Sequence, residues 1–214
     1  MAKLYLVRHA ETAWNAEGRI QGYTDTSLSE TGRRQAETLR ERLARVPFHR
    51  ALSSDLTRSA DTARAILEGR PDASGLVLTP DLREMSYGEW ETQSWRDIQA
   101  RFPEQMARIY QRDPDFAPPK GESMLDIMRR TEQFLAAQDF TRPDENILLV
   151  AHGGTLRGVI FNLLGLPVSH FWRIRLANAS MSVIETVDGG ALLSLLNDVS
   201  HLDGLAPRTD PAAG

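Results

Sequence analysis

Leu4-Tyr5-Leu6-Val7-Arg8-His9-Ala10-Glu11-Thr12-Ala13-Trp14-Asn15 begins as a short apolar strand, 4–7, and runs straight into an arginine and a histidine. A cation and an imidazole are thereby placed at a strand's carboxyl end. In open α/β sheets ligands gather outside the carboxyl ends of the strands, and an Arg beside a His there suits a phosphate group and a nucleophile to attack it. Taken alone, an Arg-His dipeptide is more often a surface pair, so the weight falls on its companions along the chain.

Working outward, a glycine-punctuated loop at 18–27 leads to a helix over 30–45, capped by Ser29, with Ala36, Leu39 and Leu43 on one face. A strand at 50–53 then meets Ser54-Asp55-Leu56-Thr57-Arg58, where Ser53 or Ser54 caps a second helix reaching Leu67 with Arg58 in its first turns. A strand at 76–78 precedes Leu82-Arg83-Glu84-Met85-Ser86-Tyr87-Gly88-Glu89-Trp90-Glu91, a loop too rich in charge and aromatics for a simple connection. Two shorter helices are expected near 94–101 and 103–112, and the spacing of Met124, Ile127, Met128, Thr131 and Leu135 predicts another over 122–138. The continuous apolar run 147–150 reads as a central strand, feeding Ala151-His152-Gly153-Gly154-Thr155 and a helix that ends at Gly165. Strand, glycines and helix in that order suit an anion. A hairpin follows, 181–187 and 191–196 around Asp188-Gly189-Gly190, and residues 206–214 read as a disordered tail. Strands and helices alternate to about residue 165 with no repeat or composition shift, so the expectation is one three-layer α/β domain over 1–205. Its central sheet is mostly parallel and flanked by helices.

The 214 residues, 41% hydrophobic and 25% charged, suffice for one globular core. A net charge of −4, with basic residues scattered, argues against a nucleic-acid or polybasic membrane partner and for a small one. The absence of cysteine excludes disulfides, thiolate catalysis and cysteine-ligated zinc. No apolar run approaches membrane-spanning length, and cytoplasm is the default location.

Three strand ends therefore carry cationic or imidazole groups toward one rim: Arg8 and His9, then Arg58, then His152, with Glu84 joining from the adjoining loop. This pattern resembles the histidine phosphatase superfamily, the phosphoglycerate mutase-like family, whose signature is Arg-His-Gly followed by Glu-Thr-x-x-Asn. Gly18-Arg19-Ile20-Gln21-Gly22, Leu28-Ser29-Glu30-Thr31-Gly32-Arg33, 53–63, 82–91 and 150–153 agree in the family's order, so the match runs nearly end to end. The resemblance implies His9 as nucleophile, Arg8, Arg58 and His152 around the transferred phosphoryl group, and Glu84 as proton donor. It also implies Asn15, Gln21 and the Gly153 amide as contacts to phosphate or substrate oxygens. No metal and no cofactor is expected, and no Asp or His cluster has obvious metal spacing.

That chemistry is reasonable on its own terms. Two guanidiniums and an imidazolium can hold phosphate oxygens and stabilise charge on the phosphoryl group in flight. The same cations disfavour protonation of His9, and a hydrogen bond from its other ring nitrogen would fix the tautomer. Judged singly, His152 reads as a satisfied core histidine, Arg58 as a surface helix residue and Glu84 as an ion-pair partner. It is their joint order that favours catalysis. His49, His170 and His201 are assigned structural roles. The aromatics Trp14, Tyr23, Tyr87, Trp90, Trp95, Phe171 and Trp172 are mainly packing residues, some of which line a pocket.

Two departures stand out: Ala10 where the family usually has glycine, adding a methyl near the phosphate and disfavouring positive φ, and Thr92 where related phosphatases carry glycine. Between Glu84 and His152 the chain lacks the longer insertion of the mutase branch. Gly88-Glu89-Trp90-Glu91 and Asn197-Asp198-Val199-Ser200-His201 resemble broad-specificity and α-ribazole phosphatases. The expected activity is metal-independent hydrolysis of phosphomonoesters of small phosphorylated metabolites, with oligomeric state open and a homodimer allowed. The alternatives are a phosphoglycerate mutase and a non-catalytic phosphate-ligand sensor.

Overall fold

The computed structural model describes residues 1–70, 75–140 and 142–205, so the tail expected from residue 206 lies outside the described residues. In chain order the elements are β1 (Lys3–Arg8), α1 (Ala13–Glu17), α2 (Glu30–Leu43), β2 (Arg50–Ser54), α3 (Thr57–Leu67), β3 (Leu76–Thr79), α4 (Trp95–Arg101) and α5 (Pro103–Tyr110). There follow α6 (Met124–Ala136), β4 (Asn146–Ala151), α7 (Gly153–Leu164), β5 (Met181–Val187) and β6 (Gly190–Asp198).

β1 and β4 lie side by side in parallel, from Lys3 opposite Asn146 to Arg8 opposite Ala151. Their apolar runs are unbroken because both faces are covered. On β4, Ile147, Leu149 and Ala151 enter one core and Leu148 and Val150 the opposite one, following the two-residue period of a strand. Ile127 and Phe134 of α6 with Val159 and Ile160 of α7 close the first core. Ala36 and Leu39 of α2 with Ala63 and Ile66 of α3 close the second. Each large aliphatic side chain so buried contributes about 1.5–3 kcal/mol. A third cluster, Ile20, Trp90, Ile98, Met106 and Phe116, anchors α4 and α5 over the loop that carries Glu84.

Among the described residues the sheet has six strands in the order β3-β2-β4-β1-β5-β6, the first four mutually parallel and the hairpin β5–β6 antiparallel at one edge. On leaving β1 the chain skips the place that β4 later fills, so the carboxyl ends of β2, β4 and β1 are neighbours on one rim. That is where an open α/β sheet binds ligands.

Local chemistry sets the element ends. Ser29 caps α2 by accepting from the Gly32 amide at 2.9 Å, and α7 stops at Gly165, whose φ of 63° is left-handed. Ser123 and Asp126 form a capping box that starts α6 at Met124, two residues later than the spacing predicts. The expected serine cap on α3 is a correction. Its N-cap is Leu56, without a side-chain bond, and the carboxylate of Asp25 instead accepts from the Thr57 amide and hydroxyl at 2.8 and 2.6 Å. The bend at 55–56 moves the helix start away from both serines: the Ser53 hydroxyl donates to the Ser54 carbonyl at 2.9 Å, and the Ser54 hydroxyl lies 2.9 Å from His152 Nε2. Among the described residues no helix is long and apolar enough to cross a membrane.

Candidate active site

His9 follows the last residue of β1, and its amide donates to the Ala151 carbonyl at 2.9 Å, extending the β1–β4 ladder by one residue. Its ring Nδ1 lies 2.7 Å from the Ala10 carbonyl. A carbonyl only accepts, so Nδ1 carries the proton and Nε2 holds the lone pair. Burial, then the guanidiniums of Arg58 and Arg8, push the ring well below the ordinary histidine range despite that bond. The sequence reading named the cations as the cause; burial is the larger one.

The turn behind the ring is braced. Asn178 Nδ2 and the Ala179 amide donate to the His9 carbonyl at 3.1 and 3.2 Å. The Ala10 amide donates to Thr62 Oγ1 at 3.0 Å, and that hydroxyl donates in turn to the Arg58 carbonyl at 2.8 Å. The concern over Ala10 is settled accordingly. Its backbone does not enter the left-handed region, so the missing glycine causes no strain, and its N–H is committed to Thr62. Thr92 is the departure that matters conformationally, with φ of 72° on a β-branched residue.

Arg58 is 1% exposed and gives its two η-nitrogens to carbonyls, Nη1 to Thr24 at 3.0 Å and Nη2 to Gly22 at 2.7 Å. Burial lowers its pKa to about 10, opposed by Glu84 and Asp25. Arg8 Nη1 donates to the Leu176 carbonyl at 2.6 Å. Glu84 Oε1 accepts from the amides of Met85 and Gly154 at 2.8 and 3.0 Å. The second bond needs glycine, since a Cβ on Gly154 would lie 2.6 Å from that oxygen. The Thr12 amide and Asn178 Nδ2 donate to Asn15 Oδ1, while the Thr12 and Thr26 hydroxyls donate to Gln21 Oε1. With their oxygens so engaged, both carboxamides keep their NH₂ donors for an anion.

Arg8, His9, Asn15, Gln21, Arg58 and Glu84 line one small cavity of about 40 Å³. His152 and Gly153 do not. The His152 ring lies behind that of His9, centroids 5.0 Å apart, with Nε2 2.9 Å from Ser54 Oγ and Nδ1 lacking a hydrogen-bond partner among the described residues. Burial and then Arg58, His9 and Arg8 hold it well below the ordinary histidine range, so the protein's own groups oppose the imidazolium that the sequence reading invoked. Gly153 is buried at the start of α7, and the amide that reaches the site's carboxylate is that of its neighbour Gly154.

Of the aromatics, Tyr87 and Trp95 line the cavity, whereas Trp90 and Phe171 are fully buried in the cores. His49 accepts from the Asn146 amide and His201 contacts the Ala179 carbonyl, both outside the cavity. Sequence reasoning missed Arg19, which lines the cavity with its guanidinium over the Trp14 ring, and Glu91, whose carboxylate accepts from the amides of Tyr23, Thr24 and Tyr87. Both lie in quoted motifs, but nothing local distinguishes them from ordinary surface charges. Among the described residues no group of three or more His, Cys, Asp or Glu side chains converges to hold a metal.

A neutral imidazole walled by arginines, at the carboxyl ends of parallel strands, places the chain among α/β proteins that handle phosphoryl groups with a histidine. Residues 4–199 match the Histidine phosphatase superfamily (branch 1), and the chain belongs to that family. It is 37% identical over 195 residues to an adenosylcobalamin/alpha-ribazole phosphatase of Salmonella typhimurium, covering 91% of this chain and 96% of that one. It is 35% identical over 215 residues to a probable phosphoglycerate mutase GpmB of Cronobacter sakazakii, covering 98% of each. Bacillus stearothermophilus YhfR superposes with a TM-score of 0.86 at 30% identity, over 94% of this chain and all of that one (100%). With phosphatases among its close relatives, the chain is a phosphatase of this superfamily.

Proposed function

We propose that the chain hydrolyses phosphomonoesters of small metabolites through a phosphohistidine on His9. The observation that carries this reading is the Nδ1–H bond to Ala10, which leaves Nε2 as the lone-pair nitrogen in a cavity shared with Arg8, Arg58 and Glu84. Nε2 attacks phosphorus as the bond to the ester oxygen breaks, and protonated Glu84 gives its proton to the departing alkoxide. Water then attacks the phosphohistidine, Glu84 takes one of its protons, and inorganic phosphate leaves. Arg8 and Arg58 hold the non-bridging oxygens and offset their charge throughout, with the amides of Asn15 and Gln21 as further donors. Burial is the larger cause that keeps His152 neutral and the neighbouring cations the smaller one; an incoming dianion offsets the second and so favours a proton on that ring, which then shares the load. The Gly153 amide, at the first residue of α7, adds a helix-terminal donor.

The arginines do here what magnesium does elsewhere, so release of phosphate from aryl and sugar phosphates is expected to persist in EDTA. His9→Ala should abolish both turnover and an acid-labile, base-stable phosphoenzyme; undiminished turnover by that variant would remove His9 as nucleophile. The relatives favour small ligands with α-ribazole phosphate in the first test panel, alongside phosphoglycerates, phosphoserine and nucleotides. The GpmB likeness supports a second reading, mutase activity, and conversion of 3- to 2-phosphoglycerate would establish it. Tight binding with no release across the panel would instead mark a sensor. A cytoplasmic location and the absence of a nucleic-acid partner complete the proposal, checked by fractionation and a nucleic-acid binding assay; the oligomeric state stays open, a homodimer being one option that sedimentation would decide.

A further inference from the structure

Glu91 lies outside the cavity, yet its carboxylate gathers the backbone of two separate loops. Oε1 accepts from the Tyr23 amide at 3.0 Å, the Tyr87 amide at 3.1 Å and the Ser86 hydroxyl at 3.5 Å. Oε2 accepts from the Thr24 amide at 2.9 Å and its hydroxyl at 2.7 Å. The first loop is the one whose carbonyls hold Arg58, and the second continues from Glu84. One peptide group joins the two charges directly. Its carbonyl, from Gly22, accepts from Arg58 Nη2 at 2.7 Å, and its N–H, on Tyr23, donates to Glu91 Oε1. Thr24 links the same two charges across adjacent peptides, with its carbonyl toward Arg58 Nη1 and its N–H and hydroxyl toward Glu91 Oε2.

A peptide polarised from both ends makes each of its hydrogen bonds stronger than it would be alone. Gly22 is required at this point. Its φ is 54°, and a Cβ there would collide with Glu91 Oε1. No lysine or arginine side chain is paired with Glu91 among the described residues. Its partners are amides and hydroxyls, so the hydrogen-bonded route from its charge to Arg58 runs through the backbone between them, beside a direct attraction weaker than those of Glu84 and Asp25.

We propose that Glu91 is a positioning residue for the reaction, the remote counter-charge that fixes the phosphate-binding guanidinium of Arg58 through the 22–24 backbone while tethering the loop that bears Glu84. The proposal rests on the assignment of Arg58 to phosphate binding made above. Replacing the carboxylate by an amide removes the charge and turns one acceptor into a donor facing N–H groups. Arg58 then loses its rigid carbonyl cradle, and the Glu84 loop loses its tie.

The test is a set of double-mutant cycles on the full chain, with the Ki of inorganic phosphate and the kcat and KM for an aryl phosphate as readouts. Glu91→Gln is expected to raise KM and the phosphate Ki together by about tenfold, with Glu91→Asp, which keeps the charge, recovering part of the loss. In an Arg58→Ala background the same change should alter Ki less than twofold, about the spread of independent sites, whereas in an Arg8→Ala background it should keep its full effect. A merely structural role would lower the thermal midpoint and weaken both backgrounds alike. That equality, or an unchanged Ki in folded Glu91→Gln, overturns the proposal. Phosphate affinity is read by calorimetry as well as by inhibition. A wild-type protein that binds phosphate but does not turn over would therefore refute the hydrolase reading while the coupling is still measured, and one that binds no phosphate would overturn both.

Discussion

At the carboxyl ends of β1, β2 and β4, Arg8, His9, Arg58 and His152 are each at most 2% exposed, whereas on β6 Leu192, Leu193 and Leu196 stand between 37% and 57% exposed. The same sheet therefore buries charge at one place and shows leucine to water at another. What decides burial here is position in the layers. The central strands are covered on both faces, so whatever sits at their ends is desolvated, and β6 is an edge strand of the antiparallel pair. Desolvation has a cost, visible in two histidines driven down and in an arginine lowered to about 10. The apolar contacts of the two cores offset it. The buried rim is where sequence is constrained by chemistry, and the exposed positions of β6 are where it is constrained only by pairing.

The contrast can be broken most severely at His9. His9→Ala should reduce turnover by at least about 10⁴-fold, with thermal stability unchanged or improved, since it removes a desolvated ring. Next in size is Gly154→Ala, where the new methyl must displace the Glu84 carboxylate. We expect kcat to fall by about a hundredfold with KM little altered, measured on an aryl phosphate. In the core beneath the rim, Leu149→Ala should cost about 2–5 kcal/mol in denaturant unfolding, while Leu192→Ala on β6 should stay within about 0.5 kcal/mol. Equal losses at the two positions would erase the distinction drawn above.

Acid sharpens it further. Both site histidines are depressed in the folded state, so below the ordinary histidine pKa of about 6.5 the unfolded chain binds more protons and stability falls as pH drops; above that value their contribution is complete. Unfolding midpoints of the wild type should decline between about pH 7 and 5, and His152→Asn should flatten that slope. One expected effect is a gain: Thr92→Gly relieves a left-handed threonine and should add about 1 kcal/mol, or about 2–4 °C in Tm.

Most of the architecture is legible in the chain because it rests on local pattern. The runs 4–7 and 147–150 mark the two central strands, Ser29 and Gly165 mark helix ends, and Asp188-Gly189-Gly190 marks the hairpin turn. Arg8, His9, Asn15, Gln21, Arg58 and Glu84 share a cavity as their order along the sequence suggests. What escaped sequence reading depends on partners far apart along the chain. Asp25 rather than a serine serves α3, Thr62 rather than a ligand takes the Ala10 amide, and Glu91 reaches back to residues 23 and 24. A carboxylate that binds backbone amides leaves no periodicity and needs no oppositely charged neighbour in sequence. Its role becomes readable only when the loops are folded together.

The hydroxyl of Thr62, bridging the Ala10 amide to the Arg58 carbonyl, has a mechanical consequence. Nucleophile and anion clamp come from the end of β1 and from α3, yet a single hydroxyl on α3 ties the backbone beside the first to the backbone of the second, so the distance between them is set by one short chain of hydrogen bonds.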